Sequence, residues 1–442
     1  MKRPAHWLVV LSFITVACTF GFAPSAFADG TVYAMTNQLT SSGSNNILVY
    51  HRASNGTLSL IQTIATTGGG SGTQLDPTDS LGSQGSIILD EDHGRLFAVN
   101  TESAAKDSGA DPDFPGTEVG DCNEGTISSF NVAANGTLTF VQKISSGGLF
   151  PDSLTIHGHL LYVLNAGGPG ACGISPNTSG FTLRGAKMTP LSGSTQPISA
   201  GAPPFGFLNC DNSTGPFATA EFQCGNNPPA FPRSPAEVKF TPNGKQLVVT
   251  DKGPNKIYVF PVLDDGTPGV PTVTKATGPN QPTYFGFAFD GESHVIVSEP
   301  FGATAVIPAA PFSAVSSFTI AHDGSLQAIS SSVPNSEGTS CWVVLAGQNA
   351  YVGNNATSNI SSYTIGSDGS LTLLAQSAAM VSHPNDMAVA VEENTGASFL
   401  YALGAGNGTV GVWRIMANGS LTFVQSAPGL PVNMGAQGLA AY

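Results

Sequence analysis

Residues 359–374 read NISSYTIGSDGSLTLL, and residues 46–61 read NILVYHRASNGTLSLI. The phrase returns as TISSFNVAANGTLTFV at 126–141, KIYVFPVLDDGTPGVP at 256–271, AVSSFTIAHDGSLQAI at 314–329 and TVGVWRIMANGSLTFV at 409–424. A degenerate copy, GFTLRGAKMTPL, lies at 180–191, which makes seven. Each copy is an alternating β run, an Asn-Gly or Asp-Gly pair read as a two-residue turn, and a second β run. That pattern is the strongest short-range signal of a β-hairpin.

Two more β runs precede most copies. The nearer one ends in a small or polar residue: GRLFAVN (94–100), LLYVLN (160–165), GKQLVVTD (244–251), ESHVIVSE (292–299), NAYVGN (349–354) and FLYALG (399–404). The farther ones are GSIILD, DSLTI, AEVKF, FGFAF, CWVVL and DMAVA. Each unit therefore holds four strands, A to D, in a meander. Four-stranded units repeating at this length are propeller blades, so the expected fold is an all-β, seven-bladed propeller spanning residues 29–442 as one domain. The first unit opens with TVYAMTN (31–37) and has no A strand, while GLAAY ends the chain. Pairing the two ends closes the ring and removes its open sheet edges.

The A–B and C–D turns are short. The long segments, 101–124, 166–179 and 300–313 between strands B and C and 195–232 between D and A, all fall on the opposite face. Loops elaborated on one side of a repeat scaffold mark the usual binding side. That side also collects B-strand ends and A-strand starts: Asn37, Asn100, Asn165, Asp251, Lys252, Glu299 and Asn354 from the first, Asp152, Phe285, Trp342, Asn385 and Asp386 from the second, with His383 beside the last pair. A ring of acids, amides, one lysine and aromatics suits a small polar molecule. The bland alternative is that strand-end Asn and Asp close turns through their side chains.

Composition agrees. Charged residues are 10%, with 53 Gly and 31 Pro, which suits many short strands. The net charge of −14 argues against nucleic acid or an anionic membrane as partner. Lys2 and Arg3, the apolar run WLVVLSFITVA and Ala26-Phe27-Ala28 read as a cleavable signal peptide over residues 1–28. No later stretch has the roughly 18 apolar residues of a membrane span. A secreted or periplasmic, monomeric protein in an oxidising compartment is expected.

With the repeats placed, the chain resembles the seven-bladed propeller lactonase family, the 6-phosphogluconolactonase-like and carboxymuconate-cyclase-like proteins. The resemblance covers the mature chain and rests on the "DGSLT" hairpin phrase, LYVLN, AYVGN, PNGKQLVVTDKGPNKIYVF, FGFAFDGESHVIVSEPFG, SCWVVLAGQNAYVGN and the closing GLAA. It implies a site built from a histidine in a Pro-His-Ser context, a Glu after a B strand, and channel arginines. Here Pro151-Asp152-Ser153 stands at the first, with Asp in place of His; Asp251-Lys252 stands at an Asn-Arg position, with Lys in place of Arg. Glu299 is the counterpart of the Glu, and Arg233 matches a channel arginine, offset by about two residues. Asp lacks the near-neutral pKa of His, and Lys cannot fork onto a carboxylate as Arg does.

No G-x-S-x-G, H-E-x-x-H, C-x-x-C or phosphate loop is present, and no cofactor or metal is expected. The acid-rich segment 106–125 lacks EF-hand spacing and reads as a solvated loop rather than a calcium site. Three of eight Asn-x-Ser/Thr sequons, at Asn55, Asn135 and Asn418, coincide with the hairpin turns. Two functions follow. The first is lactonase-type hydrolysis or closure of a sugar-acid or muconate-type lactone, with Glu299 or Asp152 as base and Lys252 steadying the oxyanion. The alternative is a non-catalytic binding or interaction propeller. Asn100, Asn165, Asp251, Phe285, Trp342, Asn354, His383 and Arg233 would line the substrate in either.

The cysteines generate a test. Cys210 and Cys224 would close a loop of about 15 residues, worth about 3 kcal/mol; Cys122 and Cys172 lie in B–C loops of neighbouring blades; Cys341 begins a β run and is expected as a buried free thiol. Mass spectrometry of non-reduced peptides should show the first two pairs and no bridge through Cys341.

Overall fold

The computed structural model describes residues 30–442 except 40–43, 73–78, 91, 93, 103–109, 112–113, 119–123, 168–174, 199–233, 253, 277–282, 292 and 301–312. The described residues form seven antiparallel sheets of the expected A–B–C–D order and contain no helix. Blade 1 takes Thr31–Met35, Asn46–Arg52 and Leu58–Ala65 as strands B to D, and its A strand is Leu439–Ala441 from the far end of the chain. The register is Val32↔Ala441, Tyr33↔Ala440 and Ala34↔Leu439. The ring closes as the leftover terminal strand implied. Blade 3 carries one short extra strand, Gln196–Pro197, beside its C strand. A two-stranded hairpin of Ala110–Asp111 and Phe114–Glu118 stands in the blade 2 insertion.

Strand position explains the sequence pattern. Strand B of blade 2, Arg95–Asn100, is buried along its whole length, because both its faces meet neighbouring blades. Its outer D strand, Leu138–Ser145, is largely exposed. The apolar core is therefore divided into seams between adjacent blades. One seam joins blades 7 and 1 through Tyr50, Leu58, Phe399 and Leu403, and another joins blades 6 and 7 through Trp342, Tyr351, Leu400 and Trp413.

Polar staples cross the same seams. Tyr33, Tyr162 and Tyr351 each donate a hydroxyl to the glycine carbonyl of the next blade's C–D turn, Gly136, Gly266 and Gly419, at 2.9, 2.6 and 2.8 Å. Gln62, Gln142 and Gln425 use both ends of their amide on one backbone residue of the next blade, respectively Leu138, Met188 and Leu58. The last of these stitches blade 7 to blade 1 at 2.7 and 3.1 Å.

Two local expectations are corrected. The C–D turn is longer than two residues. Gly56 N–H donates to Ala53 C=O and Ala53 N–H to Thr57 C=O, with Gly56 at φ +87°. This is a type I turn completed by a left-handed glycine, the three-residue hairpin loop. Asn55 Oδ1 accepts from both the N–H and the hydroxyl of Thr57, and the same pair of bonds recurs at Asn135, Asp265, Asp323 and Asn418. The three-letter phrase Asn/Asp-Gly-Ser/Thr is thus one turn unit. In blade 4 the hairpin is interrupted: strand C ends at Pro261, a single Val262↔Pro268 bridge follows, and strand D begins only at Thr272. Pro268 and Pro271 have no N–H for the ladder. The segment expected to be a signal peptide and the cysteines Cys122, Cys172, Cys210 and Cys224 lie outside the described residues, as does most of the acid-rich segment; Cys341 is a buried free thiol.

Deleting residues 435–442 exposes the inner edge of Thr31–Met35 and removes the strand that, among the described residues, joins the two ends of the chain in one sheet. The truncated protein is expected to lose several kcal/mol or fail to fold. Thermal unfolding checks it, and a wild-type melting temperature would overturn ring closure as a source of stability.

Candidate functional site

Four of the innermost strands begin with a β-bulge, at Pro151/Ser153, Pro235/Glu237, Ser340/Trp342 and Pro384/Met387. A bulge leaves a residue outside the ladder and re-aims its side chain. The residues so displaced are Asp152, Ala236, Cys341 and the pair Asn385 and Asp386, all buried. Asp386 has φ +151°, a sparsely populated conformation for a residue with a Cβ.

What they face is another stretch of the chain. Residues 79–86, which lead from blade 1 into blade 2, cross the axis and touch most of the ring. Gln84 N–H donates to Ala236 C=O in blade 4, and its side chain bonds both the N–H and the C=O of Val343 in blade 6. Trp342 Nε1 and Gln437 Nε2 both donate to Ser83 C=O, at 2.9 and 2.7 Å. Ser83 Oγ donates to the Asp152 carbonyl. Gly286 has no room for a Cβ, which would sit 2.1 Å from Gln84 Oε1.

Lys252 lies beneath this plug, fully buried. Its ammonium donates to Gly82 C=O and to Pro235 C=O, and sits 4.8 Å from the centre of the Phe285 ring. Trp342 packs edge-on against that ring at 5.6 Å. Burial pushes the Lys252 pKa down, opposed by the charges of Asp152, Asp79 and Asp251. Burial likewise pushes Asp152 well up, opposed by Lys252. Neither carboxylate oxygen of Asp152 has a hydrogen-bond partner among the described residues. Buried polar groups are rarely left so. Burial also raises the Cys341 thiol, which keeps it protonated.

The other expected residues separate into groups. Glu299 is buried at the end of its B strand, with Oε2 accepting from Ser332 Oγ at 2.7 Å and a second bond from Ser316. Burial pushes its carboxyl up to about 7. Its contacts are its own blade's serines, not the Lys252 cluster. Asn100, Asn165 and Asn354 are buried too, and their amides bind loop and strand residues: Asn100 holds Thr126, Ser128 and Thr66, Asn165 holds Asn177 and Ser146, and Asn354 holds Asn359 and Ser361. His383 is half-buried with φ +49° and is fixed by its backbone to Ser358 and Ala405. Asp251 pairs with Lys256 in the ladder and lies near Lys252. Arg233 lies outside the described residues. The structure thus joins Asp152, Lys252, Asp251, Phe285 and Trp342, and sets Glu299 and the asparagines apart.

Sequence reading missed three members. Asp79 and the plug are in a linker whose partners are up to 357 positions away, as in the Ser80–Gln437 bond. Glu237 is buried, with Oε1 2.6 Å from Lys239 Nζ and Oε2 accepting from Phe287 N–H. Its signal was a charged pair two apart inside the apolar run PAEVKF. Among the described residues no group of three or more His, Cys, Asp or Glu side chains could hold a metal ion.

No family model matches the sequence, and no curated protein matches it. Solved structures do. A candidate 6-phosphogluconolactonase from Bacteroides uniformis superposes with TM-score 0.62 at 14% identity, over 94% of this chain and 100% of its own. One from Bacteroides fragilis gives 0.61 at 16%, over 93% and 97%. A periplasmic gluconolactonase of Pseudomonas aeruginosa gives 0.62 at 14%, over 93% and 98%. The chain has the same seven-bladed architecture as these lactonase-type propellers.

The buried acids make stability pH-dependent. Glu299, pushed up to about 7, binds its proton more tightly folded than unfolded, where it titrates near its ordinary 4.5. Its contribution is full below about pH 4 and is lost as pH rises through 7. The shift corresponds to about 3 kcal/mol. Glu299→Gln, neutral at every pH, is expected to flatten the fall in melting temperature between pH 5 and pH 8.5. An unchanged slope in the variant would show that Glu299 is ionised in the native protein.

Proposed function

We propose that the chain is a lactonase-type hydrolase of an exported, periplasmic or secreted protein, acting on the lactone of a small polar acid at the Asp152–Lys252 centre. One observation carries this reading: Asp152 is wholly buried beside a buried lysine, with both carboxylate oxygens unbonded among the described residues. A carboxylate so placed is a base in wait of a water or substrate. The seven-bladed frame shared with the candidate 6-phosphogluconolactonases and the periplasmic gluconolactonase supports the substrate class.

In this reading the substrate carbonyl replaces Gly82 C=O on the Lys252 ammonium. Asp152 takes a proton from a water as its oxygen attacks the lactone carbonyl carbon. The C=O electrons move onto oxygen, and Lys252 stabilises that oxyanion. Collapse re-forms C=O and breaks the ring C–O bond. The proton held on Asp152 goes to the leaving alkoxide, giving a hydroxy acid. Glu299, held by Ser316 and Ser332, has no part in the step. Access requires residues 79–86 to move from the axis, which Gly82 and Gly85, at φ +62° and +85°, permit as hinges.

A pH-stat assay over a panel of five- and six-membered sugar-acid lactones tests it. Asp152→Asn, an isosteric change, is expected to lower kcat at least 100-fold with little change in melting temperature. A wild-type protein that hydrolyses none of the panel but binds the corresponding sugar acids would establish a binding propeller instead.

A further inference from the structure

The innermost strands share a gradient that the lactonase reading does not use. Taking the pairs Ile87↔Ala98, Val238↔Val249, Phe287↔Val297, Val343↔Val352, Met387↔Ala402 and Leu439↔Ala34 as one level, the preceding A-strand residues form a layer around the axis. They are Ser86, Glu237, Gly286, Trp342, Asp386 and Gly438. The four non-glycines and the two glycines are all buried, and the plug's Gly85 approaches the layer: a Cβ there would lie 4.0 Å from Glu237 Oε1. Two residues further along, Ile88, Lys239, Ala288, Val344 and Ala388 are half-buried, while Ala440 of the closing strand and Thr155 of blade 3 stay buried. On five of the seven inner strands, burial thus falls off from the long-loop side toward the short A–B turns. Small side chains at Ala288 and Ala388 leave room there.

We propose that this funnel is a second binding site, which takes a small organic ammonium ion with its charge against Glu237 and Asp386 and its hydrocarbon body against Ala288, Val344, Ala388 and Ile88. Three features of the floor select a cation. Lys239 is already engaged, 2.6 Å from Glu237 Oε1 and 2.9 Å from Phe287 C=O, and 5.4 Å from the Phe287 ring centre, so it balances Glu237 and leaves Asp386 as the net charge. Each Asp386 oxygen accepts one backbone N–H, from Met387 at 2.8 Å and Leu439 at 3.1 Å, and keeps a lone pair for a donor. Ser86, in the same layer, is 1% exposed, and its hydroxyl has no partner among the described residues. An anion would meet the uncompensated Asp386 carboxylate. The apolar walls favour a carbon-bearing ammonium over a bare metal ion, which wants six oxygens or more.

Occupancy should be linked to protons. Burial, together with the neighbouring Glu237 charge and against Lys239, pushes Asp386 up to about 7. Strands packed against its own bring Cys341, Tyr351 and Tyr401, all raised by burial and uncharged near neutrality, while Leu439–Ala441 brings no titratable side chain. A bound cation favours the ionised Asp386, so ammonium binding should tighten about tenfold from pH 6 to pH 8.

The test titrates n-butylammonium, with butyrate as control, into the full chain by calorimetry and saturation-transfer NMR. Binding of the amine and not of butyrate, tighter at pH 8, is expected. Asp386→Asn should remove the pH dependence. Ala288→Leu should fill the funnel and abolish binding with an unchanged melting temperature, and it decides the matter if Asp386→Asn does not fold. Butyrate binding as tightly as the amine, no amine binding at pH 8, or wild-type binding by Ala288→Leu would each overturn the site.

Discussion

The structure depends on a three-residue pairing, Val32–Ala34 with Leu439–Ala441. Without it, blade 1 has no inner strand and the ring has two raw edges. With it, every blade meets two neighbours, and the apolar runs of strands B and C are covered on both faces. The Gln425–Leu58 staple and the Tyr50 bond to Pro428 C=O reinforce the same junction. Backbone hydrogen bonds fix the register, and the seams supply apolar burial, which scales with area and has no direction of its own.

Closure creates an axis, and the axis is where this chain places its rare buried charges. Lys252 and Asp152, from blades 4 and 3, feel each other's charge, and so do Asp386 and Glu237, from blades 7 and 4. Burial costs each of them. Lys252 and Asp152 offset that cost with opposite charge, Glu237 with Lys239, and Asp386 with two backbone N–H groups. Such arrangements are seldom kept for stability alone, since apolar replacements often serve as well. The plug covers these charges on one side, and the proposed ammonium funnel lies on the other.

Similarity to lactonase-type propellers speaks to the frame and leaves the chemistry to the residues. The centre described here is an Asp–Lys pair under a Gly-Ser-Gln-Gly linker, with Glu299 in a separate serine-lined pocket. The lactonase proposal and the ammonium-site proposal therefore rest on different residues and opposite faces of one channel.

The sequence by itself determined the blade count and the strand order, because each is a local pattern repeated along the chain, and the closing strand, because the first unit lacks its A strand. It also marked Asp152, Lys252, Phe285, Trp342 and Asp386 as inward positions, since strand ends on one face follow from the meander. It misjudged the turn length and the blade 4 hairpin, where one left-handed glycine and two prolines outweigh the repeat. Only the tertiary structure decided which of the ring residues meet. Glu299 and Lys252 share a strand-end position yet have different neighbours, and the asparagines that looked like a polar ring spend their amides mostly on the C strands of their own blades. The filling of the axis by residues 79–86 was invisible for the same reason: Gly82, Ser83 and Gln84 act through backbone groups on blades 4 and 6 and the closing strand, and no local pattern encodes contacts made across a closed ring.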